Sequence, residues 1–305
     1  MERRPHMELR HIRYFLAVAE EMNFTRAAEK LCIAQPPLSR QIQELEAELG
    51  TKLFVRKPHA LQLTEEGILF RQYAQQIVDL VKRSAEDVSE MEKGLQGMIY
   101  LASVEGQAPA LLSEWIAGFH EKYPHVTYSM WNGNSDDVVN RVMKGLCDLA
   151  VILEPHNAEG VESVPVYQEP WVAMIPEGHP LALEQKETIR MEELLPYELI
   201  IPSRESRLQE INGWFGEGEK PIVRCRIAHM LNAYELTKRG VGITIYPAAA
   251  ADLAEHSGIC IRKITEPKVM ASYVLIRNRS RALSRVAQEF FDYVEERTAA
   301  NLVQK

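Results

Sequence analysis

A chain of 305 residues is long for one hydrophobic core and points to two or three folding units. Its composition, 46% hydrophobic and 26% charged, is ordinary for a soluble globular protein, and no window approaches the roughly 18 uninterrupted apolar residues of a membrane span. A net charge of −8 argues against a protein that coats nucleic acid without sequence preference, yet leaves room for a locally basic head.

The opening, MERRPHMELRHIRYF, has basic residues but no apolar run behind them. It is therefore not a secretory signal, and a cytoplasmic location is expected. Met7 reads as a more natural start than Met1, because the preceding residues carry no pattern and Pro5 breaks a helix. Cys32, Cys147, Cys225 and Cys260 lack CxxC spacing and read as reduced, mostly buried thiols. A thiol redox sensor is the alternative, against which stands the absence of an obviously basic setting.

From Leu9 the apolar positions Ile12, Phe15, Leu16, Val18 and Ala19 predict a first helix. Asn23 ends it, and Thr25 is a plausible cap for a second helix from Arg26 to Leu31. Ile33-Ala34-Gln35-Pro36-Pro37 reads as a tight turn into a third helix, whose stripe is Leu38, Ile42, Leu45 and Leu49 and whose stop is Gly50. Ser39, Arg40 and Gln43 then point away from the core near the leading end. A hydroxyl, a guanidinium and an amide there suit a helix entering the major groove. Pro36 and Pro37 are expected to bring the chain close to the DNA backbone, where exposed N–H groups at this helix start hold a phosphate.

Lys52–Val55 and Ala60–Leu63 predict two short strands around the tip Arg56-Lys57-Pro58-His59. A basic hairpin beside a helix-turn-helix is a wing that would lie on the phosphate backbone or in the minor groove. The candidate DNA-binding set is therefore Thr25, Arg26, Gln35, Pro36, Pro37, Ser39, Arg40, Gln43, Arg56 and Lys57. Thr64-Glu65-Glu66 starts a long helix expected to run to about Gly94. Its positions Phe70, Ala74, Ile77, Val81, Ser84, Val88, Met91 and Leu95 alternate spacings of four and three, a seam expected to pair with a second copy of the chain.

The run LRHIRYFLAVAEEMNFTRAAEKLCIAQPPLSRQIQELEAELGTKLFVR, with LTEEG after it, resembles the head and linker of LysR-type transcriptional regulators, most like those that govern breakdown of aromatic compounds. The resemblance implies that Gln35, Pro36, Ser39 and Arg40 contact DNA from the recognition helix and Arg56 from the wing. The tip KPHA is less basic than is common there.

Beyond Gly94 and Gly97, short apolar strands alternate with helices in two successive sets, which predicts parallel strands with crossover helices. The first set is strand 98–104, helix 109–122, strand 126–131, helix 136–144 and strand 149–153. The second is strands 172–175 and 199–201, helix 207–215, strand 222–227, helix 230–239 and strand 242–246. Strand 269–276 and helix 283–297 close the chain. The resemblance implies an effector domain like the periplasmic solute-binding proteins, with the last strand and helix returning to the first lobe. The expected fold class is multidomain α+β and α/β: an N-terminal winged helix-turn-helix (1–64), a long linker and dimerisation helix (65–96), and a twin-lobed α/β effector domain (97–305). Lobe 1 would span about 97–168 and 273–305, and lobe 2 about 169–272.

Ligands of open α/β sheets bind beyond the carboxyl ends of strands. That rule selects Val104, Glu105, Gly106 and Gln107 after one strand, Asn134 and Ser135 after the next, Pro202, Ser203 and Arg204 in the second set, and Tyr246 and Pro247 after another strand. Many relatives carry a small hydroxyl residue where this chain has Glu105-Gly106. A carboxylate there would disfavour an anionic ligand or pair with a cationic one, with Arg204 as an offset.

No metal site is expected: His120 and His125 are five apart with Pro124 between them, and the remaining histidines are dispersed. Gly216-Glu-Gly218 and Gly240-Val-Gly242 lack the third glycine of a dinucleotide loop, and no catalytic motif or cofactor site is recognised. The expected function is a non-enzymatic, sequence-specific transcriptional regulator controlled by a small molecule between the lobes. Its implied partners are promoter double-stranded DNA with a TnA-type inverted repeat, further copies of itself in a dimer or homotetramer, and RNA polymerase. The alternatives are a redox-responsive or ligand-independent regulator and, from another class, an enzyme or solute binder using the twin lobes.

Overall fold

The computed structural model describes residues 7–57, 60–89, 95–156, 159–184, 186–216, 220–249 and 258–302. Its contacts divide the chain into two compact units, Met1–Glu92 and Lys93–Lys305.

In the first unit, α1 (Leu9–Glu21) buries Ile12, Phe15, Val18 and Ala19, and ends at Met22 in the left-handed region. Helix α2 (Phe24–Lys30) is capped by Asn23, not by Thr25 as expected. The Asn23 side chain accepts from the backbone N–H of Thr25 at 2.9 Å and of Arg26 at 3.1 Å, satisfying two donors of the first turn. The tight turn is shorter than expected. Cys32 takes a left-handed φ of 56°, and α3 (Gln35–Leu49) starts after Ala34, so Pro36 and Pro37 lie inside its first turn. Leu38, Ile42 and Leu45 are buried, but Leu49 is 37% exposed, because the helix has outrun the core. The polar Glu46 is buried instead.

Strands β1 (Phe54–Lys57) and β2 (Ala60–Leu63) pair antiparallel, Phe54 opposite Leu63 and Lys57 opposite Ala60. The expected tip residues Pro58 and His59 lie outside the described residues. Helix α4 (Glu65–Ser89) carries the expected linker, whose last part, including Met91 and Gly94, also lies outside them. The first part of the expected seam is corrected here. Phe70, Ala74 and Ile77 pack into their own head, with Phe70 4.8 Å from Phe15 between ring centroids. Val81 of the expected seam is 37% exposed, and a neighbouring face carrying Ile68, Leu69, Tyr73 and Leu80 is left open at 37% to 54% exposure.

The second unit holds a ten-stranded mixed sheet in two halves that share one long strand, a departure from the expected all-parallel reading. In the first lobe, β3 (Gly97–Ser103) lies between β4 (Val126–Asn132) and β5 (Leu149–Leu153), all parallel, with α5 (Ala108–Lys122) and α6 (Ser135–Met143) as crossovers. The expected strand 172–175 is only the far end of β6 (Val161–Pro176). Its first part pairs with the return strand in one lobe and its last residues, from Trp171, belong to the other.

The second lobe continues through α7 (Pro180–Leu183), β7 (Thr188–Arg190), a 3₁₀ turn at Met191–Leu194, β8 (Glu198–Pro202), α8 (Glu205–Gly213), β9 (Ile222–Ile227), α9 (Met230–Lys238), β10 (Ile243–Pro247) and β11 (Ile259–Glu266). Strands β7 and β11 had no counterpart in the expectation. β11 pairs with β6 and β7 pairs with β11 on its outer side, and their mixed runs carry no clear period. The return strand β12 (Met270–Asn278) pairs with β5 and β6, and α10 (Arg285–Leu302) packs Phe290 5.0 Å from Phe119 of α5. The chain thus crosses between lobes twice.

Among the described residues no helix is long and apolar enough to cross a membrane, and no cluster of side chains could hold a metal ion.

Candidate DNA-reading face and interlobe cleft

On α3, Pro36, Ser39, Arg40 and Gln43 fall three, one and three residues apart, which places them on one side of a helix with 3.6 residues per turn. Leu38, Ile42 and Leu45 anchor the opposite side, so this row faces away from the head's core. The Arg40 side chain is 80% exposed and its Nε donates to Glu44 Oε1 at 3.0 Å, an i,i+4 pair along the helix surface. Ser39 and Gln43 open onto a groove bounded by Phe24, Lys52 and Leu61. Arg40 opens onto a neighbouring one with Arg10 and Tyr14.

Gln35 is half-buried, while Pro36 and Pro37 are exposed. The expected phosphate cradle is reduced here, since neither proline has an N–H and only Gln35 keeps one among the first three helical residues. Thr25 and Arg26 are exposed at the start of α2, where Arg26 Nη2 donates to the Glu21 carbonyl at 2.7 Å. Arg56 and Lys57 fall on β1, opposite Leu61 and Ala60.

The second site lies between the lobes, where the carboxyl ends of β3, β4, β8, β9 and β10 converge on a cavity of about 140 Å³. Val104, Glu105, Asn134, Ser135, Pro202, Ser203, Arg204, Tyr246 and Pro247 line it. Gly106 and Gln107, also expected there, do not. Gly106 (φ +85°) lies so close beneath Tyr273 that a Cβ would sit 2.5 Å from its hydroxyl, and the Gln107 N–H donates to that hydroxyl at 3.3 Å.

Every carboxylate around the cavity is engaged by the chain's own donors. Glu105, expected to face a ligand, reaches across to the second lobe instead. Its Oε2 accepts the Met230 N–H at 2.5 Å, at the start of α9, and its Oε1 lies 3.0 Å from His229 Nδ1. Arg204 crosses the other way, donating to Asp136 Oδ1 from Nε at 3.1 Å and from Nη2 at 2.8 Å. Glu169 accepts from the Tyr273 hydroxyl at 2.7 Å and the Ala249 N–H at 2.7 Å.

Arg207 is 3% exposed, stands 4.8 Å from the Trp171 ring, and donates to the Glu154 carbonyl and to Glu210. Burial draws its guanidinium below the ordinary arginine value. Burial, with the nearby Glu105, raises the Tyr246 phenol, and burial with Glu169 raises that of Tyr273, so both remain neutral hydrogen-bonding groups.

Sequence reasoning missed Gly133, Asp136, Leu153, Trp171, Arg207, Ile227, Ala228 and Tyr273 as lining residues. Ala228 directly follows β9, so the strand-end rule applied to that strand would have found it. Trp171 and Tyr273 sit where β6 and β12 pass between lobes, and a strand interior carries no such signal.

The family model for the LysR substrate binding domain matches residues 92–299, and that for the bacterial regulatory helix-turn-helix protein of the lysR family matches residues 9–68. The HTH-type transcriptional regulator YnfL of Escherichia coli strain K12 is 31% identical over 247 residues, covering 80% of this chain and 83% of that protein. AlsR of Bacillus subtilis strain 168, also an HTH-type transcriptional regulator, is 28% identical, covering 88% and 89%. A crystal structure of full-length CbnR complexed with its target DNA superposes with a TM-score of 0.76 at 27% identity, covering 95% of this chain and 99% of that one. With both its helix-turn-helix head and its substrate-binding unit matched, the chain belongs to the LysR family and is a DNA-binding transcriptional regulator with an effector-binding domain.

Proposed function

We propose that the row Ser39, Arg40 and Gln43 reads base edges in the major groove, with Arg40 the principal specificity contact. The observation that carries this is the 80% exposed Arg40 side chain, on the side of a helix whose opposite side is fixed in the core. Thr25, Arg26, Gln35, Pro36 and Pro37 border the phosphates beside that row, and Arg56 and Lys57 meet the backbone from the wing. The open apolar face of α4, with Leu69, Tyr73 and Leu80 at spacings of four and seven, pairs two copies, and further contacts give a tetramer. Two heads then read an inverted repeat of the TnA type in a promoter, in the cytoplasm, and the assembly acts on RNA polymerase. The protein regulates rather than catalyses.

The interlobe cavity takes the effector. A volume of about 140 Å³ is close to the ~150 Å³ that accommodates a benzene ring, which favours a ligand of one ring or similar size. Such a ligand shifts the regulator only through a difference in affinity between its assembly states. Footprinting on the gene's own upstream region tests the DNA reading. Protection of an inverted repeat, lost on Arg40→Ala, is expected; unchanged protection by that variant would sink the assignment. Thermal-shift screening of small carboxylates, amines and neutral aromatics tests the cavity.

A further inference from the structure

The structure assigns to Glu46 the role of a positioning residue that fixes the wing relative to the recognition helix. The role rests on the wing contact proposed above. Glu46 lies on α3 one turn beyond Gln43, on the flank of the reading row, and is only 6% exposed. A carboxylate so buried needs several donors. It has three, all from the segment that leads into β1. Oε1 accepts the N–H of Leu53 at 2.9 Å and of Phe54 at 3.2 Å, and Oε2 accepts Lys52 Nζ at 2.6 Å.

The same segment is held from its other side by the start of α4. Thr64 Oγ1 donates to the Lys52 carbonyl at 2.6 Å, and the Thr64 N–H donates to the Leu53 carbonyl at 3.0 Å. The Gly67 N–H donates in turn to Thr64 Oγ1 at 2.9 Å. Residues 52–54 are therefore clamped between recognition helix and linker helix, and the wing hairpin extends from that clamp. The apolar core holds Phe54 independently, its ring 5.3 Å from Phe15 and 5.9 Å from Phe24. Glu46 is thus not needed to bring the segment to the helix. It sets the segment's height and angle, because two consecutive backbone N–H groups converge on one carboxylate oxygen.

Glu46→Gln keeps the size of the side chain but directs an amide N–H₂ or a neutral oxygen at donors that matched a charge. In the full-length protein, hydrogen exchange is expected to accelerate at the Leu53 and Phe54 amides while amides of α1 keep their protection. Hydroxyl-radical footprinting is expected to lose protection at the outer edges of each half-site, where a wing would lie, and to keep it at the centre, with about a tenfold rise in Kd. Glu46→Asp, charged but shorter, is expected to behave alike, so a poorly folding Gln variant does not end the test. Arg56→Ala separates this proposal from the wing reading. Loss of edge protection in Arg56→Ala but not in either Glu46 variant would overturn the role of Glu46 and leave the wing contact standing. Edge protection retained in Arg56→Ala would overturn the wing contact and the role given to Glu46 with it.

Discussion

Glu105 of the first lobe accepts the backbone N–H of Met230, the first residue of α9 in the second, at 2.5 Å. The carboxylate so placed caps a helix N-terminus, where the helix dipole favours negative charge, and it spans the cleft in doing so. Glu105→Ala removes a cap worth about 1 kcal/mol. The melting temperature of the effector-binding domain is expected to fall by about 2–4 °C, the shift such a loss gives in a domain of this size. Differential scanning calorimetry checks it, and an unchanged transition would show that the contact carries no net stability.

Arg204 and Asp136 form the second bridge across the cleft. The Asp136 side chain is 64% exposed, so the pair contributes little stability, within about 1 kcal/mol. Asp136→Asn is expected to leave the melting temperature nearly unchanged while releasing Arg204 toward the cavity. Small anionic compounds should then produce a larger thermal shift in the variant than in the parent, and neutral ones should not. Equal responses to both would show that Arg204 does not meet the ligand.

Arg40→Ala takes away a guanidinium that touches nothing in the core. Binding to the specific site is expected to weaken by about 1–3 kcal/mol, the usual discrimination of one good base contact, with thermal stability unchanged. Titrations against specific and scrambled duplexes at matched salt check it. A loss equal on both duplexes would make Arg40 a phosphate contact instead.

In the interior of an exposed helix Gly→Ala normally stabilises by about 1 kcal/mol. Gly67 should reverse that sign, because a Cβ there would lie 2.1 Å from the Leu53 carbonyl oxygen, backbone that cannot step aside. Gly67→Ala is expected to destabilise the head by about 1–3 kcal/mol, the range for overpacking, as read by denaturant unfolding.

Leu80→Arg places a charge on the open face of α4, where Leu80 is 37% exposed and absent from the head's core. The head should melt as before while the oligomer dissociates at micromolar concentration, seen by light scattering after size exclusion. An intact oligomer would place the dimer contact elsewhere.

Most of the elements were legible in the sequence. Period-3.6 stripes such as Leu38, Ile42 and Leu45, and apolar runs such as Leu149–Leu153, report directly on burial, and burial decides local structure. The strand-end rule was enough to name most of the cleft. It could not say which partner a side chain takes. Asn23 displaced Thr25 as a cap because its backbone is extended and its Oδ1 meets two N–H groups at once, while Thr25 lies inside the helix. The first part of the seam on α4 turns inward because Phe70, Ala74 and Ile77 have the same period whether they face a second copy or α1 of their own head. Glu105 looked free to meet a ligand, and only the fold brings it within hydrogen-bond reach of residues 124 and 125 positions away. Local pattern fixes which face of an element is buried; what lies against that face depends on long-range packing, and a linear spacing does not encode it.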